Sequence, residues 1–459
     1  MSKKAALDAA KYILNGPRIV EATRLNRIAD AMRPCGPYDT PRVEIPSDAP
    51  DSLKRLARKS STNVLPLVVD TFSQGMKVDG YYSPGSPDNA APWEWWQRNG
   101  WDARQTGVHH AALQYGTAYE TVLPGDTGPV WKGVSPRAMT ALYGEADDEW
   151  PVIALHVKLD GSMCLYDEEM AYRFGLESAL PKGVKITDPA MTVVVNGLSL
   201  VYIDQQAHGV GVPPVVRFRD RMLLDGEEHH GIVEPLISIQ NRIDETTFGM
   251  LVTQYFAAFK QRYVIGWVPE SEADAMKAAA SDAWYFDDPD VKVGQFQESD
   301  LTRYIESKKS GMRDLAAIAQ LPAQNLGIDG ISNISDATLA GLETAKNRRT
   351  DEMATSIGES HEQAFRLAAH IAGDATAAAD YQAEVKWKDS TARSFAQTVD
   401  GLGKLATMLG VPPELLWEDI PGWTQQKVDR AKALLAEQPD PIGSLAATLD
   451  RQANGLSTA

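Results

Sequence analysis

GIVEPLISIQNRIDETTFGMLVTQYFAAF (231–259), LTRYIESKKSGMRDLAAIA (301–319) and LPAQNLGIDGISNISD (321–336) run, in order, as a long helix, a second helix and an irregular polar loop. A third long helix follows at once. In the first run Ile232, Leu236, Ile239, Ile243, Met250, Phe256 and Phe259 recur at mostly helical spacing. Pro235 falls in the opening turns, where its missing N–H is tolerated. A helix of this length spans about 40 Å. The second run sets Leu301, Ile305, Met312, Leu315 and Ile318 on one side and Lys308, Lys309 and Arg313 on the other. Pro322, Gly327, Gly330 and Asn333 break any regular element in the loop, which is therefore predicted to be exposed. Ser335 or Asp336 can cap the third helix, whose apolar positions are Leu339, Leu342, Ala345, Met353, Ile357, Phe365, Ala368 and Ile371, with Gly373 just beyond.

Between the first two helices lie about forty residues holding QRYVIGWV (261–268), a short helical run ESEADAMKAA (270–279), AWYF (283–286) and VKVGQF (291–296), enough for a small α/β insert. Upstream, PRIVEATRLNRIADAM (17–32) is an amphipathic helix opened by Pro17. NVLPLVVDTFSQGMKVDGYY (63–82) suits a helix interrupted early by Pro66, and PWEWWQRNGWDARQTGVHHAALQY (92–115) suits another, ended by Gly116. From 117 to 219 the pattern becomes strands: TAYETVL, GPVWKGV, WPVIALHVK, GSMCLYD and PPVVRFRD, with TVVVNGLSLVYI (192–203) carrying the Asn196-Gly197 pair of a two-residue hairpin. Downstream, EVKWKDS (384–390) is a lone strand expected to rejoin the earlier sheet. SFAQTVDGLGKLATMLG (394–410) turns Phe395, Val399, Leu402, Leu405 and Leu409 to one face, and Thr424 can cap a last helix before Pro439 and Pro441. The class is α+β, since no strand–helix alternation supports a doubly wound sheet.

The charge of −17 and pI near 5.0 argue against tight nucleic-acid binding, which rests on Lys and Arg neutralising phosphates. No run of about twenty apolar residues exists to span a bilayer. The start, MSKKAALDAAKYILNG, lacks the apolar core and cleavage site of a signal peptide, so an intracellular protein is expected. Cys35 and Cys164 stand far apart with no metal-type spacing and read as idle thiols. Trp93, Trp95, Trp96 and Trp101 could form a stacking platform for single strands, but only Arg98 and Arg104 are interleaved, so a core or subunit-contact role is favoured. His109-His110 and His229-His230 are adjacent pairs pointing about 100° apart on a helix, a poor geometry for one ion. Lys346, Arg348 and Arg349 form a basic spot better suited to a solvated face or a subunit ion pair. Phosphate-loop, dinucleotide, HExxH and GxSxG motifs are absent, and no enzyme, cofactor or metal is expected.

The ordered set NVLPLVVDTFSQGMKVDGY (63–81), AALQYGTAYETV (111–122), SPRAMTALY (135–143), HGVGVPPVVRFRDR (208–221), GIVEPLISIQNRIDETTFGMLV (231–252), NISDATLAGLE (333–343) and LGVPPELLWEDIPGWT (409–424) resembles the portal proteins of tailed bacteriophages, in the branch found in phages of actinobacteria. The resemblance covers about residues 15–437. It implies a portal fold: a mixed α/β wing over 1–230 with 373–390 returning to it, and stem helices over 231–258 and 299–319. A small clip over 259–298, a tunnel loop over 321–336, a long helix behind it over 336–372, a helical crown over 391–437 and a flexible tail over 438–459 complete the division. It further implies a ring of identical subunits, the dodecamer being usual, at one capsid vertex of the virion, assembled in the host cytoplasm with major capsid and scaffold proteins. Double-stranded DNA would pass through without sequence specificity or membrane involvement, both in packaging and in ejection. The terminase large subunit and later the head–tail adaptor would dock at the clip, with Arg262, Tyr263, Trp267, Trp284 and Tyr285 as candidate contacts. Lys308, Lys309, Arg313, Asn325, Gly327, Gly330 and Asn333 are the corresponding candidates for the channel wall and its moving loop.

An acidic conduit with sparse cations suits that role, because it surrounds a polyanion without gripping it. The alternatives are another ring-forming virion protein such as an adaptor, for which the wing-like first half is long, and a nucleic-acid enzyme, which the missing motifs and acidic charge disfavour.

Overall fold

The structure is a computed structural model that describes residues 1–34, 40–84, 90–179, 192–224, 230–257, 262–265, 291–295, 300–328, 336–388 and 395–436. The chain begins with α1 (Lys3–Asn15), α2 (Pro17–Met32), α3 (Asp51–Ser60), α4 (Leu65–Ser73), β1 (Val78–Tyr82), α5 (Ala90–Arg98) and α6 (Trp101–Tyr115). Strands follow: β2 (Thr117–Gly125), β3 (Gly128–Val134), β4 (Met139–Leu142), β5 (Ile153–Val157), β6 (Met163–Tyr166), β7 (Met170–Leu176), β8 (Thr192–Val195), β9 (Leu198–Ala207) and β10 (Val215–Arg219). Then come α7 (Ile237–Ala257), β11 (Arg262–Ile265), β12 (Lys292–Gln295), α8 (Thr302–Ala319), α9 (Asp336–Ala372) and α10 (Ala375–Ala378). The described chain closes with β13 (Glu384–Trp387), α11 (Phe395–Leu409), α12 (Pro413–Leu416) and α13 (Gln425–Ala436). It divides into one unit of Met1–Asn26, Val69–Gly231 and the chain from Asn347, and a second of Arg27–Val68 with Ile232–Lys346.

The first unit is built on a six-stranded antiparallel sheet in the order β4-β5-β6-β7-β9-β8. Strand β6, MCLY, is buried at every position because both faces are covered. Met163 and Leu165 point to one side, where α1 inserts Ala6, Leu7, Ala10 and Ile13. Cys164 and Tyr166 point to the other, toward Tyr119, Val134 and Val215 of the three-stranded sheet β10-β2-β3. The period-two alternation of a strand thus serves two cores at once. Helix α1 is not foreseen from the sequence, although Ser2 caps it by accepting from the Ala5 N–H. The β8–β9 turn is the expected hairpin: Asn196 and Gly197 both have positive φ, 49° and 78°, as a type I′ turn requires.

Two expected helices are corrected. Residues 63–82 divide into α4 and the strand β1, whose partner is β13 in a separate two-stranded sheet. EVKW therefore pairs with a stretch read as helical and joins neither larger sheet. Buried Gln105 holds β1 in place, its Oε1 accepting from the Val78 N–H at 2.7 Å and its Nε2 donating to the Val78 carbonyl at 3.1 Å. Residues 92–115 form α5 and α6, broken at Gly100, whose φ of 65° no right-handed helix contains. Asn99 stabilises the break by donating to the carbonyls of Trp95 and Pro129 and accepting from the Trp131 N–H.

The break folds the indoles back on one another. Trp96, Trp101 and Trp131 are fully buried, with ring centroids 5.1–5.6 Å apart, and Phe365 of α9 stacks on Trp96 at 5.5 Å. They are core, and a stacking platform for single strands is excluded for these rings. Among the described residues no helix is long and apolar enough to cross a membrane.

Candidate nucleic-acid interface

Within the second unit α7 packs against α3 on one side and α8 on another. The α3 side is polar and fully satisfied across the seam. Gln240 accepts from the Val64 N–H and donates to the Thr62 carbonyl, and Asp244 accepts from the Thr62 N–H and the Ser61 hydroxyl. Both side chains are buried, and burial raises the Asp244 carboxyl above its usual range. The α8 side is a close approach between helices. A Cβ on Gly311 would lie 2.9 Å from Cγ1 of buried Ile243, and one on Gly249 would lie 3.2 Å from the Tyr304 ring. Tyr304 and Thr253 share a hydroxyl contact of 3.3 Å, and Arg242 of α7 pairs with Asp314 of α8. Gly311→Leu should overpack this seam by about 2 kcal/mol. A thermal melt of the purified protein lowered by several degrees is the expected reading, and an unchanged melt would refute the notch.

This packing revises which face of α8 is which. Gly311, Leu315, Ala316 and Ala319 are buried and Tyr304 and Lys308 are half-buried, whereas Ile305 and Ile318 are about half exposed. The periodicity of the large apolar residues misplaced the seam because glycine and alanine make it. Lys309 and Arg313 are exposed and, four residues apart, share one face; Lys308 is turned about 100° away along the seam. Among the described residues Lys308 and Lys309 have no ion-pair partner. The exposed residues of α8 include Arg303, Lys309 and Arg313 against Glu306 and Asp314, a small cationic excess in a chain of net charge −17.

The chain leaves α8 through a tight C-terminal turn. Gln320 takes the left-handed conformation at φ 56°, and the Leu321 N–H returns to the Ala316 carbonyl at 2.8 Å. Asn325 lies in a 3₁₀ turn over Ala323–Leu326, and exposed Gly327 ends it at φ 69° with open space around its α-carbon. Leu321, Leu326 and Ile328 are buried, so this part of the segment read as exposed loop is anchored by its apolar residues. Gly330 and Asn333 lie outside the described residues, as do Trp267, Trp284 and Tyr285. Arg262 and Tyr263 sit on β11, which pairs antiparallel with β12.

Other singled-out groups are dispersed. Lys346 pairs with Glu343, while Arg349 lies over the Phe72 ring, so the basic spot does not act as one patch. His109 meets His361 and not His110, which faces Asp70 at 3.6 Å. Cys164 is buried, which pushes its thiol up, and Cys35 lies outside the described residues. No cluster of three or more metal-type ligands occurs among the described residues. The exposed Lys309–Arg313 strip on α8 can therefore offer charge to a polyanion, whereas the turn behind it is uncharged from Gln320 to Ile328; the notched seam and the Gln240–Asp244 clamp are what position the helices. The sequence signal for the clamp was two polar residues, at 240 and 244, on a face otherwise apolar.

A family model described as phage portal protein, SPP1 Gp6-like, matches residues 18–440. The portal protein of Mycobacterium phage D29 is 23% identical over 365 residues, 74% of this chain and 71% of that one. That of Mycobacterium phage L5 is 21% identical over 355 residues with the same coverage. Among solved structures, a chain from the virion of a native gene transfer agent particle aligns with a TM-score of 0.48 at 15% identity, covering 85% of this chain and 99% of the other. A chain from the neck of the empty particle gives 0.48 at 14% identity, covering 85% and 100%.

Proposed function

This chain belongs to the SPP1 Gp6-like phage portal protein family, and from that premise we propose that the Lys309–Arg313 face of α8 lines the DNA conduit of a ring of identical subunits at the capsid portal vertex. The observation that carries the reading is the exposed cationic strip on an otherwise acidic chain. Few cations per subunit keep phosphate contacts sparse, so double-stranded DNA is guided without being held and without sequence preference. Lys308 adds its charge from the seam side.

The hairpin β11–β12 and the residues 259–298 around it are, in this reading, the docking point for the terminase large subunit and then for the head–tail adaptor. Residues 321–336 are, in this reading, the loop that bears on DNA, with Leu321, Leu326 and Ile328 buried at its start. Helix α11 suits a subunit contact: Val399, Leu405, Met408 and Leu409 are exposed along it, apolar surface that an adjacent copy would cover. The role is structural, with no catalytic step.

Alanine at Lys308, Lys309 and Arg313 together should leave ring assembly intact, weaken binding of random-sequence duplex to isolated rings by about tenfold at low salt and flatten the salt slope. The heads assembled from it should retain less DNA. Unchanged packaging, retention and salt slope would sink this assignment.

A further inference from the structure

The first unit buries an unusual chain of titratable groups where α9 seats. His361 of α9, His109 of α6 and Glu120 of β2 are each fully buried. The Met76 carbonyl can only accept, so the His109 nitrogen facing it at 3.2 Å, Nδ1, carries the hydrogen. An uncharged His109 then offers Nε2 as an acceptor, and His361 Nε2, at 2.8 Å, donates to it. That leaves the lone pair of His361 Nδ1 facing Glu120 Oε1 at 3.7 Å. Trp131 Nε1 donates to the other carboxyl oxygen at 2.5 Å. Among the described residues Glu120 Oε1 and His361 Nδ1 have no hydrogen-bond partner. A hydrogen on Glu120 Oε1 directed at His361 Nδ1 gives both a use and leaves the chain uncharged.

Among the described residues no other charged group acts on this chain. Trp96, Trp101, Trp387 and Phe218 pack around His361 with ring centroids 4.7–6.5 Å away. Asp102, at the start of α6, is engaged by the Trp96 N–H. Arg217 and Arg219, flanking Phe218, both donate to the Ala146 carbonyl. Lys386, beside Trp387, pairs with Glu418 and Asp419; Glu362 accepts from the Val385 N–H; Asp79 of β1 lies near Lys77 and Lys388. Around the chain, α9 is held by packing and by a few single bonds: Ser356 to the Arg219 carbonyl, Ser360 to the Arg217 carbonyl, Gln363 to the Glu149 carbonyl, Arg366 to the Glu149 carboxylate and Glu362 from the Val385 N–H.

We propose that Glu120, His361 and His109 form a proton-operated catch for α9, closed while the three share one proton and opened, over about residues 353–368, when acid supplies a second. Burial holds His109 down at about 4 and His361 well below its ordinary value, and holds the Glu120 carboxyl well above its own. Opened and hydrated, the histidines return to about 6.5 and the carboxyl to about 4.3. Between those two values the closed segment holds one proton, on Glu120, and the open one holds two, on the histidines. Opening therefore takes up one net proton, and its equilibrium rises about tenfold per pH unit on acidification. Above about 6.5 the sign reverses, because opening then releases the Glu120 proton, so protection peaks near that pH.

Hydrogen–deuterium exchange of the full-length protein, corrected for intrinsic rates from pH 4.5 to 7.5, reads this directly in peptides from 353–368, with α8 peptides as the control. Two near-isosteric variants shift the slope in opposite directions. Glu120→Gln keeps an acceptor for Trp131 and a donor for His361 but removes the stored proton, so the acid slope should steepen to about a hundredfold per unit. His109→Gln keeps a donor to Met76 and an acceptor for His361 and should flatten it. A flat profile in the unaltered protein, or a slope that neither variant moves, overturns the catch.

Discussion

Gly231→Ala is expected to cost about 4 kcal/mol, enough to take most of the margin by which a domain is stable. Gly231 sits at φ 61°, and a Cβ there would lie 2.6 Å from the Gly116 nitrogen, 2.6 Å from the Leu113 carbonyl oxygen and 2.9 Å from that of Gln114. All three are backbone atoms around the C-terminal cap of α6, where Gly116 itself takes φ 84°. No side chain can rotate away to make room. The left-handed backbone contributes about 1–2 kcal/mol of this cost, and the clash contributes the rest. Gly327→Ala is the matched control: φ is 69° but nothing lies within 4 Å of the new Cβ, so only the backbone share is expected. Soluble yield and thermal midpoint of the two variants, side by side, make the comparison. Equal effects would mean that the contact between Gly231 and the α6 cap does not exist.

Trp96→Ala should cost about 3–5 kcal/mol. The indole is fully buried, with Trp93, Trp101, Trp131, His361 and Phe365 all within 5.6 Å by ring centroid, so no single neighbour can collapse into its place. Its N–H to Asp102 at 3.1 Å is lost as well. The signature is a lower melting midpoint together with a large fall in near-ultraviolet circular dichroism, since the coupled indoles are held in fixed orientations. Trp95→Ala, one residue away but only half-buried, should do much less. A Trp96 variant that melts within a degree or two of the unaltered protein would contradict the cluster.

The three long helices were legible because their apolar positions repeat over many turns, and local periodicity is what a single sequence reports best. Strand β1 was not legible, since VDGYY is extended only through β13 and Gln105, both far away in the chain. The break at Gly100 was missed because Asn99 and Gly100 look like a tolerable interruption until Trp131 is brought to meet Asn99. In the candidate interface, Lys309 and Arg313 were read on the correct side of α8. Lys308 was not, because the seam is made by Gly311 and small alanines whose absence of bulk carries no hydrophobic signal. The buried histidines were legible only as a neighbouring pair, 109 and 110, when the true partner of His109 was His361.

The pairing of β1 with β13 also sets a timetable. Val78 bonds across to Trp387, so the strand leaves the ribosome about three hundred residues before its mate exists. At translation rates of about 5–20 residues per second, that is a wait of roughly 15–60 s. Throughout it the β1 edge has backbone groups with no strand to take them, while residues 232–346, the larger part of the second unit, have their own contacts to make. The first unit thus closes last although it begins first. Until residues 384–387 emerge, a nascent chain of this protein carries an open edge that they alone are built to cover.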